Sequence, residues 1–400
     1  MLQIKNIGIL GSGAMGTGIA QVFAAGGCEV LLYDRDPAAL ERSRERLSQS
    51  LDQLVTRHKI STEQAATTLE NIQWVNSLDT FHDRSLVLEA VSEDLAVKKH
   101  LFAAIETIVS EDCILASNTS SLSIASIASA CKKPDRVLGM HFFNPAPRMK
   151  LVEIVPAVQS RMGLAEEIQG WLARFGKTPV QVRDTPGFIV NRVARPYYGE
   201  ALRIWEEGLA DLNSVDSIMK ARGGFRMGPF ELMDYIGHDI NYTVTASVFE
   251  AFYFDPRYKP SLSQKRLVEA GYLGRKSGRG FYHYDENGVK MQVAVRDVRG
   301  HPALNLTETE KQHIFERILV MLINEAADAL HWSVANKSEL DLAMIQGVNY
   351  PKGLLAWADE WGLDRVCACM DSLYEQYRED RYRLSPLLRK MLEKGEKFYE

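Results

Sequence analysis

The residues best suited to acid–base chemistry follow two predicted strands in the first half of the 400-residue chain. Ser117-Asn118-Thr119-Ser120-Ser121 comes directly after one strand, and His141-Phe142-Phe143-Asn144-Pro145 ends another, with Glu153 twelve residues beyond His141. An imidazole titrates near neutral pH and can take a proton from a hydroxyl group, and a carboxylate on its other nitrogen fixes its tautomer. We therefore expect Glu153 to reach His141, although a core histidine bonded to the backbone is the alternative interpretation. Because ligands bind at the carboxyl ends of strands in open α/β sheets, Ser120, His141 and Asn144 are expected to face a cofactor.

A glycine-rich turn near the N-terminus predicts a dinucleotide site. Apolar residues 4–10 run into Gly11-Ser12-Gly13-Ala14-Met15-Gly16, which has the form G-x-G-x-x-G, and a helix is predicted over 17–26. In this motif the glycines allow a tight turn, a close approach to a pyrophosphate, and close packing of helix on strand. A second strand, 29–33, ends at Asp34, whose carboxylate suits the adenosine ribose and favours NAD over NADP. A glycine-rich turn that binds no ligand is the alternative.

Strands alternating with helices predict a doubly wound Rossmann-type α/β domain over residues 1–184. The predicted strands beyond residue 34 are 72–75, 86–90, 114–117, 137–141, 152–155 and 179–182, and the longest helices between them are 94–109 and 164–175. A helical hairpin over 37–57 and 62–70 is inserted between the second and third strands. Its arginines are candidates to contact an anionic ligand, with a solvated helix face as the alternative: Arg42, Arg44, Arg46 and Arg57.

Helical periodicity dominates after Thr185-Pro186-Gly187, and this helical part contains an internal repeat. Within positions 200–239, nine residues recur at an offset of 125, among them Glu200 as Glu325 and Asp234 as Asp359. We therefore predict two tandem all-α domains, 185–285 and 309–400, joined by a linker over 286–308.

Composition excludes several classes of protein. The net charge of −5 argues against a nucleic-acid binder with a uniformly basic surface, and no apolar run reaches the length of a membrane span. The N-terminal residues do not have the pattern of a secretory signal. Five cysteines are an odd number that fits reduced thiols in the cytoplasm, and Cys367 and Cys369 point in different directions on a predicted helix. We expect a cytoplasmic protein without a metal site.

Several long motifs occur in the order found in the 3-hydroxyacyl-CoA dehydrogenase family, which residues 7–285 resemble. They are GILGSGAMGTGIAQ, SEDLAVKKHLF, SNTSSLSI, HFFNPAPRMKLVEIV, TPGFIVNRV, MGPFELMDYIG and LGRKSGRGFYHY. The whole chain resembles the longer tandem members of phenylacetate degradation, which oxidise 3-hydroxyadipyl-CoA. Those members carry a large segment between the two helical copies, which here is a short linker.

The resemblance implies NAD-dependent oxidation of an L-3-hydroxyacyl-CoA to a 3-ketoacyl-CoA, as in fatty-acid β-oxidation. It implies that His141 is the catalytic base, that Glu153 is its partner, and that Ser120 and Asn191 bind the substrate's 3-oxygen. Ser50 and Arg57 match positions that touch CoA. Besides the glycine-rich turn, the implied cofactor contacts are Asp34, Glu93, Lys98, Asn144 and Lys276. An ion pair between Glu93 and Arg192 is the alternative for Glu93, and the alternative for the two lysines is a surface position.

The second helical copy departs from the family pattern. Asn191 corresponds to Glu316, and the second copy lacks the PGFIVNR motif, so we expect it to have no catalytic role. A fused copy can replace the partner subunit of shorter members within one chain, and a homodimer is also open. If the substrate ends in a carboxylate, its pocket requires a basic residue, for which Arg148, Arg222 and Arg226 are candidates.

Two other functions compete with this one. The 3-hydroxyacid and 6-phosphogluconate dehydrogenases share a Rossmann-plus-helices plan, but they use a lysine as acid and base. A non-catalytic NAD-binding relative would bind the cofactor without turnover.

Overall fold

The computed structural model describes residues 3–295 and 305–399, and the chain divides into two compact units, Met1–Phe188 and Ile189–Glu400. Residues 296–304 of the predicted linker lie outside the described residues. The first unit contains an eight-stranded sheet in the order β3-β2-β1-β4-β5-β6-β7-β8. Its strands are β1 (Asn6–Leu10), β2 (Glu29–Tyr33), β3 (Ile72–Val75), β4 (Leu86–Glu89), β5 (Ile114–Ser117), β6 (Val137–Phe142), β7 (Leu151–Pro156) and β8 (Thr178–Gln181). Its helices are α1 (Ala14–Ala25), α2 (Pro37–Thr56), α3 (Thr62–Glu70), α4 (Leu95–Glu106), α5 (Ile124–Ala128) and α6 (Leu164–Leu172).

The predicted Rossmann-type fold is confirmed, and the inserted hairpin is present as α2 and α3. Asp36 caps α2 by accepting a hydrogen bond from the Ala38 amide, and Pro37 occupies the first turn, where its missing N–H costs nothing. Ser61 and Gln64 form a reciprocal capping box that starts α3. These local signals let the chain leave β2, reverse once and return to the sheet at β3.

Two strands at one edge depart from the expected parallel sheet, because β7 runs antiparallel to β6 and β8 runs parallel to β7. Only residues 143–150 connect these two strands, whereas a parallel pair needs a crossover of about a dozen or more residues. The antiparallel register sets His141 directly opposite Glu153. Directly opposed residues project to the same face of a sheet, so the local connection brings these two side chains together.

The second unit is mainly helical. Its helices are α7 (Val190–Val193), α8 (Arg195–Glu206), α9 (Leu212–Gly223), α10 (Pro229–Ile236), α11 (His238–Ala251), α12 (Leu262–Glu269), α13 (Glu308–His331), α14 (Lys337–Val348), α15 (Leu354–Trp361), α16 (Leu363–Tyr377) and α17 (Pro386–Lys394). It also contains a two-stranded antiparallel sheet that the periodicity did not predict, β9 (Tyr282–Tyr284) and β10 (Lys290–Val293). His283 therefore lies in a strand rather than in a helix or loop. Both strands are short, and the Asp285–Gly288 turn hydrogen bond closes the hairpin.

A buried carboxylate on α13 joins the two halves of this helical unit. Glu325 is fully buried and accepts hydrogen bonds from Arg192 at 2.6 Å, Arg257 at 3.3 Å and the Tyr258 hydroxyl at 2.6 Å. Asp328 shares both arginines. A carboxylate so buried is tolerable because cations and donors surround it.

The same arrangement recurs with the halves exchanged. Glu200 on α8 is buried and accepts from Arg317 at 3.0 Å and from the Tyr382 hydroxyl at 2.9 Å, and it forms an ion pair with Arg381. Each member of this cluster lies 124 or 125 residues from its counterpart in the Glu325 cluster. The two ion clusters are thus related by an approximate two-fold exchange of the sequence copies.

Removing either central carboxylate is expected to destabilise the helical unit. Glu325→Gln leaves Arg192 and Arg257 with less compensating charge and should lower the free energy of unfolding by about 3 kcal/mol, and Glu200→Gln should have a similar effect. Glu375→Gln, which breaks an exposed ion pair with Arg378, is the matched control and should change stability by less than about 1 kcal/mol. Urea denaturation of the three variants measures this. Equal stability of Glu325→Gln and the control would contradict the assignment.

Candidate active site

A buried histidine–carboxylate pair lies near the carboxyl end of β6. Nδ1 of His141 is 2.6 Å from Oε2 of Glu153. Glu153 is 0% exposed and His141 6% exposed, so of the two residues only the histidine keeps any contact with solvent. The rings of Phe143 and Phe188 flank the imidazole at 4.5 and 5.9 Å between centroids. With Nδ1 bonded to the carboxylate, Nε2 is the nitrogen left to exchange a proton with a ligand.

The loop after β5 is held by Glu93. This carboxylate accepts hydrogen bonds from the Thr119 hydroxyl at 2.5 Å and the Ser120 amide at 2.9 Å, and the Ser120 hydroxyl lies 3.4 Å away. Burial alone would raise the pKa of Glu93, but the charge of Lys98 and the two loop hydrogen bonds outweigh it and lower the pKa. Glu93 is therefore a carboxylate that shapes the Ser120 loop.

The same loop is tied to the histidine strand. The side-chain oxygen of Asn118 accepts a hydrogen bond from the Phe142 amide at 2.8 Å, next to His141. Adjacent pairing of β5 with β6 sets Ser117 beside Gly139. The structure thus brings the Ser120 loop and His141 to the same edge of the sheet, as the strand pattern predicts.

Lys98 is buried rather than exposed. Its ammonium group, 1% accessible as a side chain, lies 2.6 Å from Glu89 and 3.3 Å from Glu93. Glu89 also accepts from the Ser117 hydroxyl at 2.6 Å. Lys98 is therefore not a surface lysine, and within its own unit Glu93 pairs with Lys98. Whether Lys98 also contacts a cofactor stays a prediction.

The glycine-rich turn has the shape that a dinucleotide pyrophosphate requires. Gly11 has φ +104°, and a Cβ on Gly16 would lie 1.8 Å from the Gly11 carbonyl, so neither position accepts another residue without rearrangement. A Cβ on Gly13 would meet nothing within 4 Å, which leaves this face of the turn open. Gly13 caps α1 without any side-chain hydrogen bond, so the first amides of the helix are available to an anion.

Asp34 completes the fit to NAD. Its Oδ2 accepts from both the amide and the hydroxyl of Ser12 at 2.9 Å, which fixes the carboxylate beside the turn. Burial would raise the pKa of Asp34, but the hydrogen bonds, first that of the Ser12 amide, lower it, so the group is an anionic acceptor. A cavity of about 990 Å³ runs along this edge, lined by the turn, Asp34, Arg35, Val91 and the α4 residues Val97 and His100. These residues fit an adenine dinucleotide.

The loop that carries Asn144 depends on a lysine that the sequence did not indicate. Asn144 itself is exposed. The buried Lys177 donates to the carbonyls of Ala146 and Met149 at 2.5 and 2.9 Å, and its burial lowers the pKa of its amine to about 8. No sequence motif marks this lysine, because its role arises from two backbone carbonyls that only the folded loop presents.

The arginines of the α2–α3 hairpin differ in what they contact. Arg42 pairs with Asp36 at 3.1 Å, Arg44 lies over the Trp74 ring, and Arg46 donates to the Arg42 carbonyl. Ser50 and Arg57 are exposed. Their role at CoA stays a prediction.

Two further residues of the predicted set belong to the second unit. Asn191 lies in α7, and Lys276 is exposed, with its ammonium group 2.7 Å from Asp239. Their roles at the substrate and the cofactor stay predictions.

The second unit contains another histidine–carboxylate pair with different surroundings. Nε2 of His238 is 2.7 Å from Asp234, and both side chains are 0% exposed. Asp234 also accepts from the Phe281 and Tyr282 amides and the Tyr284 hydroxyl. This pair joins α10 to β9 and is fully buried, whereas His141 is 6% exposed.

Within residues 3–295 and 305–399, no group of three or more histidine, cysteine or acidic side chains is arranged to hold a metal ion. No helix in the same residues is long and apolar enough to cross a membrane.

Comparison with known proteins identifies the family of the chain. The family model for the 3-hydroxyacyl-CoA dehydrogenase NAD-binding domain matches residues 6–185. The model for the C-terminal domain of the same family matches twice, at residues 187–284 and 313–398. The predicted family resemblance is confirmed.

Individual relatives cover either the whole chain or its first part. The chain is 37% identical to the 3-hydroxyadipyl-CoA dehydrogenase of Escherichia coli K12 over 471 aligned positions, which cover 99% of each. It is 40% identical to a 3-hydroxybutyryl-CoA dehydrogenase of Mycobacterium tuberculosis, covering 70% of this chain and 99% of the relative. A crystal structure of 3-hydroxybutyryl-CoA dehydrogenase from Escherichia coli K12 matches with a TM-score of 0.88 at 36% identity, covering 98% of each chain. The chain therefore belongs to the 3-hydroxyacyl-CoA dehydrogenase family.

Proposed function

We propose that this protein oxidises the 3-hydroxyl group of an L-3-hydroxyacyl-CoA to a ketone, with NAD as the acceptor. The observation that carries the proposal is the 2.6 Å bond between His141 and Glu153, at the same sheet edge as a dinucleotide-binding turn. Alcohol oxidation needs a base for the hydroxyl proton beside an acceptor for hydride, and this unit offers sites for both. The family's substrates are acyl-CoA thioesters.

His141 acts as the general base. Glu153 holds the proton on Nδ1, so the lone pair of Nε2 is free to accept the substrate's hydroxyl proton. The imidazolium formed in this step is stabilised by the buried carboxylate 2.6 Å away. In the reverse direction His141 returns the proton to the ketone oxygen.

Bound NAD supplies the hydride acceptor. The open face of Gly13 and the free amides of α1 hold its pyrophosphate, and Asp34 accepts hydrogen bonds from its ribose. Asn144, Glu93, Lys98 and Lys276 are the further cofactor contacts in this proposal. Of these, Glu93 and Lys98 act chiefly by fixing the loop after β5.

Ser120 and Asn191 bind the substrate's 3-oxygen, and Ser50 and Arg57 contact CoA. Two acyl chains are proposed, because the relatives include enzymes named for 3-hydroxyadipyl-CoA and for 3-hydroxybutyryl-CoA. The first ends in a carboxylate and places the protein in phenylacetate catabolism, and the second is short and neutral.

The domain organisation is proposed as a NAD-binding domain over 1–184, a first helical domain over 185–285, a linker over 286–308 and a second helical copy over 309–400. The exchanged Glu325 and Glu200 clusters support a second copy that serves as an internal partner of the first. Glu316, at the position of Asn191, bonds Gln312 and Arg365, which supports a structural role there. We place the protein in the cytoplasm, without nucleic-acid or membrane partners, and a homodimer is compatible with this arrangement.

His141→Gln should abolish most of the turnover. The amide has no basic nitrogen, so kcat should fall roughly 10³-fold while the dissociation constant for NAD is unchanged. NADH absorbance with acetoacetyl-CoA measures turnover, and calorimetry measures NAD binding. His331→Gln, an exposed histidine at the end of α13, is the control. Full activity of His141→Gln would refute the mechanism, and NAD binding without turnover by the unaltered protein would identify a non-catalytic relative.

Asp34→Ala should selectively weaken the binding of the cofactor. The variant loses a charged acceptor for the ribose, so KM for NAD should rise about tenfold or more while kcat at saturating NAD changes little. Glu29→Gln, an exposed carboxylate at the other end of β2, is the matched control. An unchanged KM for NAD in Asp34→Ala would remove Asp34 from the cofactor site.

Removal of residues 305–400 tests the internal-partner proposal. Helix α13 is buried along most of its length and packs on α8, so its loss exposes apolar surface. The truncation also leaves the buried Glu200 carboxylate without its partners Arg317 and Arg381. We expect aggregation or dimerisation of the truncated protein, as measured by light scattering. A stable monomer would contradict the proposal.

A further inference from the structure

Arg195, at the start of α8, is a buried cation without a buried anion. We propose that Arg195 binds a carboxylate at the far end of the substrate's acyl chain and thereby selects 3-hydroxyacyl-CoA thioesters of dicarboxylic acids. This inference rests on the proposed function, since it assigns the acyl end of the same substrate.

Among the described residues, the hydrogen bonds of the Arg195 guanidinium group come from only one of its three nitrogens. The residue is 6% exposed. Its Nη1 donates to the Thr245 hydroxyl at 2.9 Å and to the Asn241 carbonyl at 3.4 Å, and its guanidinium carbon lies 4.9 Å from the centre of the Tyr198 ring. Its Nε is buried with no hydrogen-bond acceptor among the described residues. Nε and Nη2 form the edge with which arginine grips a carboxylate through two parallel bonds.

An unpaired Nε is shared by three other buried arginines, but the lack of a carboxylate partner distinguishes Arg195. Among the described residues seven arginines are buried, and each of the other six has a carboxylate oxygen within 4.0 Å. Those six are Arg84, Arg136, Arg192, Arg257, Arg317 and Arg381. Around Arg195 no described carboxylate lies within that distance. Burial lowers the pKa of Arg195, which is the direction expected of a cation that lacks a counter-charge.

The second helical copy is an internal control for what the fold itself requires. At the offset of 125, Arg195 corresponds to Val320, Asn241 to Val366 and Thr245 to Met370. All three counterparts are 0% exposed, and Val320 and Met370 belong to one hydrophobic cluster. By contrast, Arg192 has an arginine counterpart, Arg317, in the second ion cluster.

The same contact between two helices is thus apolar in one copy and cationic in the other. The fold packs this position well with valine, so arginine is not there for packing. It occurs in the copy that contains Asn191 and is absent from the copy that contains Glu316. The cation therefore belongs to the function of the first copy.

The position of Arg195 fits the acyl chain. Asn191, assigned to the 3-oxygen, lies four residues earlier in α7, and Ala194 joins α7 to α8 with backbone angles in the right-handed helical region. Four residues of helical rise span about 6 Å, so the two residues are close along the chain. The carboxylate of a six-carbon dicarboxylic chain is three carbon–carbon bonds from the carbinol carbon, a distance that the long arginine side chain can match.

The alternatives from the sequence are less suited. Arg148 and Arg226 are exposed, and Arg222 is exposed and bonded to Gln312 and Glu308. A carboxylate that binds an exposed guanidinium group gains little binding free energy, because water screens the charges. A carboxylate that binds a buried guanidinium group without another anion gains much more.

The test compares 3-hydroxyadipyl-CoA with 3-hydroxyhexanoyl-CoA, whose acyl chains are equal in length and differ only in ending with carboxylate or methyl. In Arg195→Val, which copies the second repeat, kcat/KM for the carboxylate substrate should fall at least about 100-fold. The kcat/KM for the methyl substrate should fall less than about threefold or should rise, because the pocket becomes apolar.

Arg222→Val is the control and should leave both values unchanged. The double variant Arg195→Val/Thr245→Met reproduces the apolar packing of the second copy, so it tests whether the effect of Arg195→Val is a folding defect. It should show the same selective loss of kcat/KM for the carboxylate substrate.

Equal effects of Arg195→Val and the double variant on the two substrates, or no effect on either, would overturn the assignment while leaving the dehydrogenase function intact. Failure of the unaltered protein to oxidise either thioester would instead refute the proposed function. Selective loss with the carboxylate substrate alone establishes Arg195 as the specificity residue.

Discussion

The pairing of β6 with β7 is the constraint on which the catalytic geometry depends. Eight residues connect these strands, too few for a crossover, so the second strand must turn back antiparallel. That register alone sets Glu153 opposite His141 and buries the carboxylate completely while the imidazole keeps a path to solvent. The loop held by Glu93 and the connection held by Lys177 flank the pair. Each of these supports is a charged side chain that bonds to a loop, Glu93 to the Thr119 hydroxyl and the Ser120 amide, and Lys177 to two backbone carbonyls.

Much of this could be predicted from the residues. The strand pattern, the glycine-rich turn and the inserted hairpin are visible as periodicity and caps, and the His141–Glu153 pair follows from residue type and spacing. The sequence did not predict that β7 is antiparallel, because apolar periodicity has no direction. It also did not show that Lys98 is buried, since a lysine between two carboxylates is recognisable only when β4, α4 and the loop meet. The roles of Lys177 and Arg195 could not be predicted for the same reason, because they depend on the residues that surround these side chains in the folded chain.

The duplicated helical unit illustrates how one fold can serve two purposes. The paired clusters around Glu325 and Glu200 occupy equivalent places, so each copy contributes a carboxylate to the arginines of the other. These contacts depend on both copies and explain why the second copy keeps its arginines and tyrosine. The second copy has Glu316 at the position of Asn191 and Val320 at the position of Arg195. The differences between the copies therefore separate the residues that hold the fold from those that act on a ligand.

The central claim is that Glu153 holds a proton on Nδ1 of His141, so that Nε2 is the base. Nitrogen-15 NMR of the histidine-labelled protein, with His141→Gln to assign the signal, tests this directly at a pH where the imidazole is neutral. The account predicts a protonated Nδ1 and an unprotonated Nε2 for His141. A neutral imidazole with its proton on Nε2 would contradict the account, because that nitrogen could then not accept the substrate's proton.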